Sequence, residues 1–453
     1  MLAERPSARP SAGQRGGLWQ DAPVDIPDVR YARAGGVAIA YQSVGQGPAL
    51  IYAPHLCTIE ALWRAPHSRR FLDRLSEHLQ LIVYNPRGTG LSDRPRVVTL
   101  ESRMDDLNAV LDATGLEQAS LFGVAESANV CALFASTYPE RCRNLILHWP
   151  YAKLDEDDET KNAWVRDARE HWGERTWMED FAGEISPIYA RDPDLMDWFV
   201  WMQRAAVSPS AAAEFTRMQI DTDIGDVLPT IRVPTVVVAP SGHSDAARDV
   251  TASIPNATAV SLPSEGVDPY ADGDQLTDLL IRVVQEAPMP HLSDSVLATL
   301  LFTDLVDSTS MAAAMGDHAW KDVLTQHHDD VRRALGRYRG TEVDSAGDGF
   351  FCRFDGPARA IECAKAIVAQ AADRGLQVRA GLHTGECELL GPKPAGIAVV
   401  IGARVMSHAE PGEVLVSRTV TDLVAGSGNT FVPRGEHTLK GVPGTWALFA
   451  VER

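Results

Sequence analysis

The chain predicts two domains of different class: an α/β domain with a mostly parallel sheet over residues 31–285, and an α+β domain from Leu297 to the C-terminus. Three observations lead there. At 453 residues the chain exceeds what a single hydrophobic core usually supports. Short apolar runs alternate with helical stretches through the first 285 residues. After the proline-bearing stretch QEAPMPHLSDS the order of elements changes.

In chain order, residues 1–30 carry arginines with no apolar run behind them, so they predict a disordered tail and a poor secretory signal. ALIYAP, LQLIVYN, ASLFGV, RNLILHW and VPTVVVA follow as buried strands. Between about 150 and 229 the strands stop. An acidic run, DEDDE, precedes Trp164, Trp172, Trp177, Trp198 and Trp201 in helical surroundings, which predicts a helical cap over the sheet. Aromatic residues at helical spacing commonly fill cores, so these tryptophans either pack the cap or roof a cavity. Residues 286–296 form the linker. Beyond it VLATLLFTDL is a strand, WKDVLTQHHDDVRRALGRY a helix, TEVDSAGDGFFCRF a hairpin, ARAIECAKAIVAQAADRG a helix and QVRAGLHTGECELL a strand. That β-α-β-β-α-β succession is ferredoxin-like. The helix IAVVIGARVMSHA and the strand EVLVS complete the 297–453 domain.

Composition narrows the function. Hydrophobic content of 45% and charged content of 23% suit a globular protein. A net charge of −19 disfavours nucleic acid and anionic membrane as partners. No apolar run reaches the ~18 residues of a membrane helix. The six cysteines are scattered, without zinc-type spacing, as expected of a reducing cytoplasm. An anionic nucleotide would therefore have to be met by bound metal and a few placed cations.

The segment ASLFGVAESANVCALFASTYPERCRNLIL, with NPRGTGLSDRP before it, resembles the α/β-hydrolase fold, and the resemblance covers about residues 31–285. The family's nucleophile elbow is Gly-x-Ser-x-Gly, where a sharp turn lifts the serine above the sheet. Here Gly123-Val124-Ala125-Glu126-Ser127 puts alanine at the nucleophile. The family's acid falls at His243, and its histidine at Val267; no histidine occurs between His243 and His291. Alanine has no oxygen to attack a carbonyl and valine cannot take a proton, so hydrolysis by the usual triad is not expected. Ser127 lies two helical steps on, turned about 200° from the elbow tip. The domain is left as a binding module for a small apolar ligand or as an inert dimerisation scaffold.

FTDLVDST resembles the first signature of class III adenylate and guanylate cyclases, and SAGDGFF the second. The resemblance implies that Asp304 and Asp348 hold two Mg²⁺ or Mn²⁺ ions per site. Hard, oxygen-liganded ions suit the attack of a ribose 3′-oxygen on the α-phosphorus while pyrophosphate leaves. It implies nucleotide contacts at Leu305, Asp307, Ser308 and Thr309, where backbone N–H groups opening a helix would cradle phosphate. It also implies a transition-state arginine at Arg404 and a triphosphate lysine at Lys440. The asparagine expected one turn before the arginine is Val400. The purine-reading lysine and aspartate are exchanged in charge, as Asp344 and Lys393. ATP is then the expected substrate, with GTP the alternative. Because the family's arginine comes from a second chain, a homodimer is expected. The two domains together resemble a hydrolase–cyclase fusion of mycobacterial type. The competing reading is a degenerate cyclase that binds nucleotide or a partner without turnover.

Overall fold

A computed structural model of the protein describes residues 25–240, 244–263, 266, 268–270, 274–287, 295–390 and 393–452. The expectations for residues 1–24, for His243 and Val267, and for most of the 286–296 linker lie outside the described residues.

The first sheet has eight strands: β1 (Arg30–Ala34), β2 (Val37–Val44), β3 (Ala49–Ala53), β4 (Gln80–Tyr84), β5 (Ala119–Val124), β6 (Cys142–His148), β7 (Thr235–Pro240) and β8 (Ala257–Leu262). Their order is β1-β2-β4-β3-β5-β6-β7-β8, and from β4 onward every pair is parallel. Parallel strands covered on both faces become continuous apolar runs, and β5 is buried at every position. The β1–β2 hairpin was not among the expected strands. Its two-residue Gly35-Gly36 turn, with Gly35 at φ 63, is a legible hairpin signal, but β1 itself is mostly exposed. Four cap helices, Asp158–His171, Arg175–Ile185, Pro193–Ala206 and Pro209–Asp221, fill the gap between β6 and β7, with one shorter helix between them.

The second sheet contains β9 (Ser295–Leu305), β10 (Thr341–Ala346), β11 (Gly349–Phe354), β12 (Val378–Leu390), β13 (Lys393–Ala395), β14 (Val414–Ser417), β15 (Phe431–His437) and β16 (Trp446–Val451). The path β10-β11-β9-β12-β14-β16-β15 puts the four ferredoxin-like strands side by side in the order expected of that succession. The helices Asp317–Tyr338 and Pro357–Asp373 cover one face through Val331, Leu335, Ile361 and Ile367.

The domains share a buried seam. Leu297 and Leu423 from the second domain pack into the core of the first. At its centre Arg359, which opens the Pro357–Asp373 helix, lies 2.8 Å from Glu101 and 2.6 Å from Asp355, and also pairs with Asp105. Arg339 reaches Asp105 at 3.2 Å, and the Tyr138 hydroxyl donates to Asp355 at 2.6 Å. The chain approaches so closely that a Cβ on Gly356 would stand 2.4 Å from the Glu101 carboxylate.

Burial raises the Glu101 carboxyl from 4.5 to about 7, against the pull of Arg359. The folded protein therefore holds that proton more tightly than the unfolded chain. The group's contribution to stability is full below about pH 4.5 and fades as pH rises through about 7. Glu101→Gln is expected to flatten this slope in urea titrations run from pH 5 to 8. Arg359→Ala removes the ion partner of the buried Glu101 carboxyl and should cost about 3 kcal/mol, read as a lower melting temperature with earlier separation of the two domains' transitions.

Candidate functional site

In the first domain β5 runs to Val124 and turns sharply at Ala125, which has φ 50 and ψ −121. This positive-φ conformation is sparsely populated for alanine and costs on the order of 1–3 kcal/mol. It is held because the Ala125 N–H donates to the His148 carbonyl at 2.9 Å and because Gly123 has no side chain: a Cβ there would meet the Ala128 Cα at 2.7 Å. The elbow is thus intact without a nucleophile. Ser127 is fully buried and donates to the Pro54 carbonyl at 3.0 Å, away from any substrate. Beside it the Glu126 carboxylate and the Arg103 guanidinium, 2% and 1% exposed, form a buried ion pair. Arg103 also lies 5.0 Å over the Phe215 ring.

Above the elbow, between sheet and cap, is a pocket of about 480 Å³ counted to its open mouth, lined by Tyr52, His55, Gln203, Asp268 and Tyr270 among mostly apolar neighbours. None of the five cap tryptophans lines it. Trp198 is 1% exposed and its indole N–H donates to the Ala61 carbonyl, so core packing accounts for it. The Tyr52 and Tyr270 hydroxyls are 2.7 Å apart, and Asp268 accepts from the Tyr189 hydroxyl and, at 2.9 Å, from the Tyr270 N–H. Sequence reasoning passed over Asp268, the neighbour of Val267.

In the second domain Asp304 is the penultimate residue of β9, and β11 pairs with it so that Phe350 faces Thr303. The next step brings the turn Gly347-Asp348-Gly349 against Asp304: a Cβ on Gly349 would lie 3.7 Å from Asp304 Oδ1. Asp348 Oδ2 is buried with no hydrogen-bond partner among the described residues. The ring of His328 bonds the Gly347 carbonyl at 3.0 Å, steadying the turn. Asp304 Oδ2 accepts from Arg379 at 2.5 and 3.1 Å across the β9–β12 pairing. Arg379 was not anticipated; its signal was a charge interrupting an apolar strand. A buried, unpartnered carboxylate oxygen beside a second carboxylate fits a divalent cation of the oxygen-binding type. No cluster of three or more His, Cys, Asp or Glu able to hold a metal occurs among the described residues, so one chain offers two carboxylates.

The other predicted residues fall into separate groups. Leu305 is 3% exposed, with its side chain in the core of the domain. Asp307, at φ 56, precedes the Ser308–Met315 helix, whose first turn carries Ser308 and Thr309. Asp344 and Lys393 form an exposed ion pair at 3.0 Å, which holds the Asp344 carboxyl below its ordinary range. Arg404, on the exposed face of the Ile397–Ser407 helix with Val400 one turn before it, donates to the Lys440 carbonyl at 3.1 Å. Lys440 lies in the turn between β15 and β16, not on a strand. Among the described residues Arg404 pairs with neither Asp304 nor Asp348.

Comparison with known proteins agrees with both folds. Residues 292–453 match the adenylate and guanylate cyclase catalytic domain, and residues 51–182 match the alpha/beta hydrolase fold. The chain thus joins an α/β-hydrolase domain to a class III cyclase catalytic domain. The second region is 27% identical over 168 residues to the receptor-type adenylate cyclase GRESAG 4.1 of Trypanosoma brucei brucei, a match spanning 26% of this chain and 13% of that one. An uncharacterized protein of Mycobacterium tuberculosis is 30% identical over 172 residues, spanning 35% of this chain and 57% of that one. The chain therefore covers less than two thirds of the length of these relatives. The crystal structure of an enol-lactonase from Burkholderia xenovorans superposes with a TM-score of 0.50 at 18% identity, over 57% of this chain and 100% of that chain, a likeness of fold alone. Among the described residues no helix is long and apolar enough to cross a membrane.

With alanine at the elbow and no histidine following in the chain where the fold's base belongs, restoring the hydroxyl alone should not restore catalysis. Ala125→Ser is expected to fold with unchanged melting temperature and to turn over short p-nitrophenyl esters no faster than the parent protein.

Proposed function

We propose that the protein converts ATP to cyclic AMP and pyrophosphate as a homodimer, and that its hydrolase-like domain is a non-hydrolytic ligand-binding regulator. The observation that carries the cyclase reading is the orphaned, buried Oδ2 of Asp348 set beside the Asp304 carboxylate. These two carboxylates would hold Mg²⁺ or Mn²⁺, which when bound supplies charge neutralisation for the triphosphate and acidifies the attacking 3′-hydroxyl. Asp307, Ser308 and Thr309 offer backbone N–H groups at a helix start to the phosphates. Lys440 adds a cation, and Arg404 stabilises charge that builds at the α-phosphorus.

The dimer rests on incompleteness and on exposed apolar surface. Arg404 stands apart from the aspartates in one chain. Its helix presents Ile397 at 52% and Val400 at 38% exposure, and the Ser308–Met315 helix, rich in alanine and methionine, buries no residue within the protomer. A two-fold pairing would cover these faces and complete two equal sites. The Asp344–Lys393 pair retains one donor and one acceptor group with exchanged positions. Adenine remains the expected base.

Purified protein with Mn²⁺ and ATP should yield cyclic AMP, with Asp304→Ala and Arg404→Ala each reducing the rate at least about a hundredfold. An equimolar mixture of the two variants, after subunit exchange, should recover about a quarter of the parental rate, since half the dimers then carry one intact site. No recovery, with both variants folded and dimeric, would sink the shared-site reading. No product from the parent protein with either ATP or GTP would instead favour a nucleotide-binding protein without turnover.

A further inference from the structure

The pocket of the first domain contains polar atoms that have no hydrogen-bond partner among the described residues. Gln203, 4% exposed, has its Oε1 buried without a hydrogen-bond partner among the described residues, and so has Ser186, 1% exposed, at its Oγ. His55 Nδ1 is unpartnered as well and lies 4.0 Å from Glu126 Oε2, another buried oxygen without a hydrogen bond. Gln203, Ser186 and His55 all line the same pocket. Buried polar atoms are nearly always bonded, and leaving one bare is costly, so this cluster in one cavity points to an occupant.

The chemistry of the lining selects that occupant. The bare amide oxygen of Gln203 can only accept, as can the carboxylate of Glu126 behind His55. His55 is held neutral, its pKa lowered to about 4 by burial and by Arg103. No Lys or Arg lines the pocket among the described residues, whereas the Asp268 carboxylate does. A carboxylate or phosphate would meet no counter-charge there and would face Asp268. The rest of the wall is aliphatic and aromatic, as the walls of small-molecule sites mostly are.

We propose that this pocket binds a small, uncharged, mostly apolar molecule that donates a hydroxyl or amide hydrogen to Gln203 Oε1, with Ser186 and His55 completing the polar contacts. This rests on, and sharpens, the reading of the domain as a ligand-binding regulator. A ketone, ether or ester of the same shape, carrying acceptors alone, leaves Gln203 unsatisfied and is disfavoured.

The test is calorimetric titration of the full-length protein with four probes of one shape: 4-methylphenol, 4-methylanisole, 4-methylbenzoate and 4-methylbenzylammonium. The phenol is expected to bind at least about tenfold tighter than its methyl ether, and both ions more weakly still. Gln203→Leu should erase the preference of phenol over ether while leaving the melting temperature unchanged or raised; Gln203→Met serves the same comparison should the first variant fold poorly. Ether or either ion binding as tightly as the phenol, a preference that survives loss of the amide, or no binding of any probe at millimolar concentration would each overturn the proposal. Binding as expected with no change in the cyclase rate would support the site and refute the regulatory role, so the two failures are distinguishable.

Discussion

The arrangement of both domains hangs on one half-buried cation at their seam. Arg359 sits among three carboxylates, two of them, Glu101 and Asp105, supplied by the other domain and four residues apart on the Leu100–Thr114 helix. Residues so spaced lie on one face of a helix. Arg103, midway between them, points the other way, to Glu126 at the elbow. A single helix therefore reaches the elbow beside the pocket with one face and the cyclase domain with the other. On the cyclase side its partners are Arg339 and Arg359; Arg339 and the Asp355 that Arg359 also holds flank the β10–β11 hairpin at its base, and the tip of that hairpin carries Asp348. Pocket and metal turn are joined through a rigid element and one hairpin, a short physical route for any coupling between them.

The first domain shows what outlasts the loss of a catalytic residue. The strained turn at Ala125 remains, as do the bare Gly123 that permits it and the fully buried helix behind it, because these are packing constraints of the strand-turn-helix unit and not of the reaction. A buried carboxylate and guanidinium occupy the ground next to the elbow, where an ion pair is stable only when both partners stay.

The sequence made the local features legible and left the long-range ones hidden. The central strands of the first sheet, the Asp304 and Asp348 turns and the alanine at the elbow could be read because each depends on a few consecutive residues. β8 escaped because it is a half-exposed edge strand without a continuous apolar run. The seam could not be read: Arg359 and Glu101 are 258 positions apart, and a charged residue in a helix carries no mark of its burial. Lys440 falls in a turn, where Gly441 and Gly444, both at positive φ, break the chain. Asp344 and Lys393 were recognised as exchanged in charge, and the short hairpin of β12 with β13 is what brings them together.

Arg379 gives the metal turn a resident counter-ion. Two carboxylates crowded at the end of a hairpin would repel one another in the absence of a cation, and the guanidinium on the neighbouring strand already offsets part of that repulsion through Asp304. The turn can accordingly form during synthesis without waiting for an ion, unlike small domains whose metal is their core. On the proposed reading, arrival of a divalent ion would exchange one positive partner for another at Asp304.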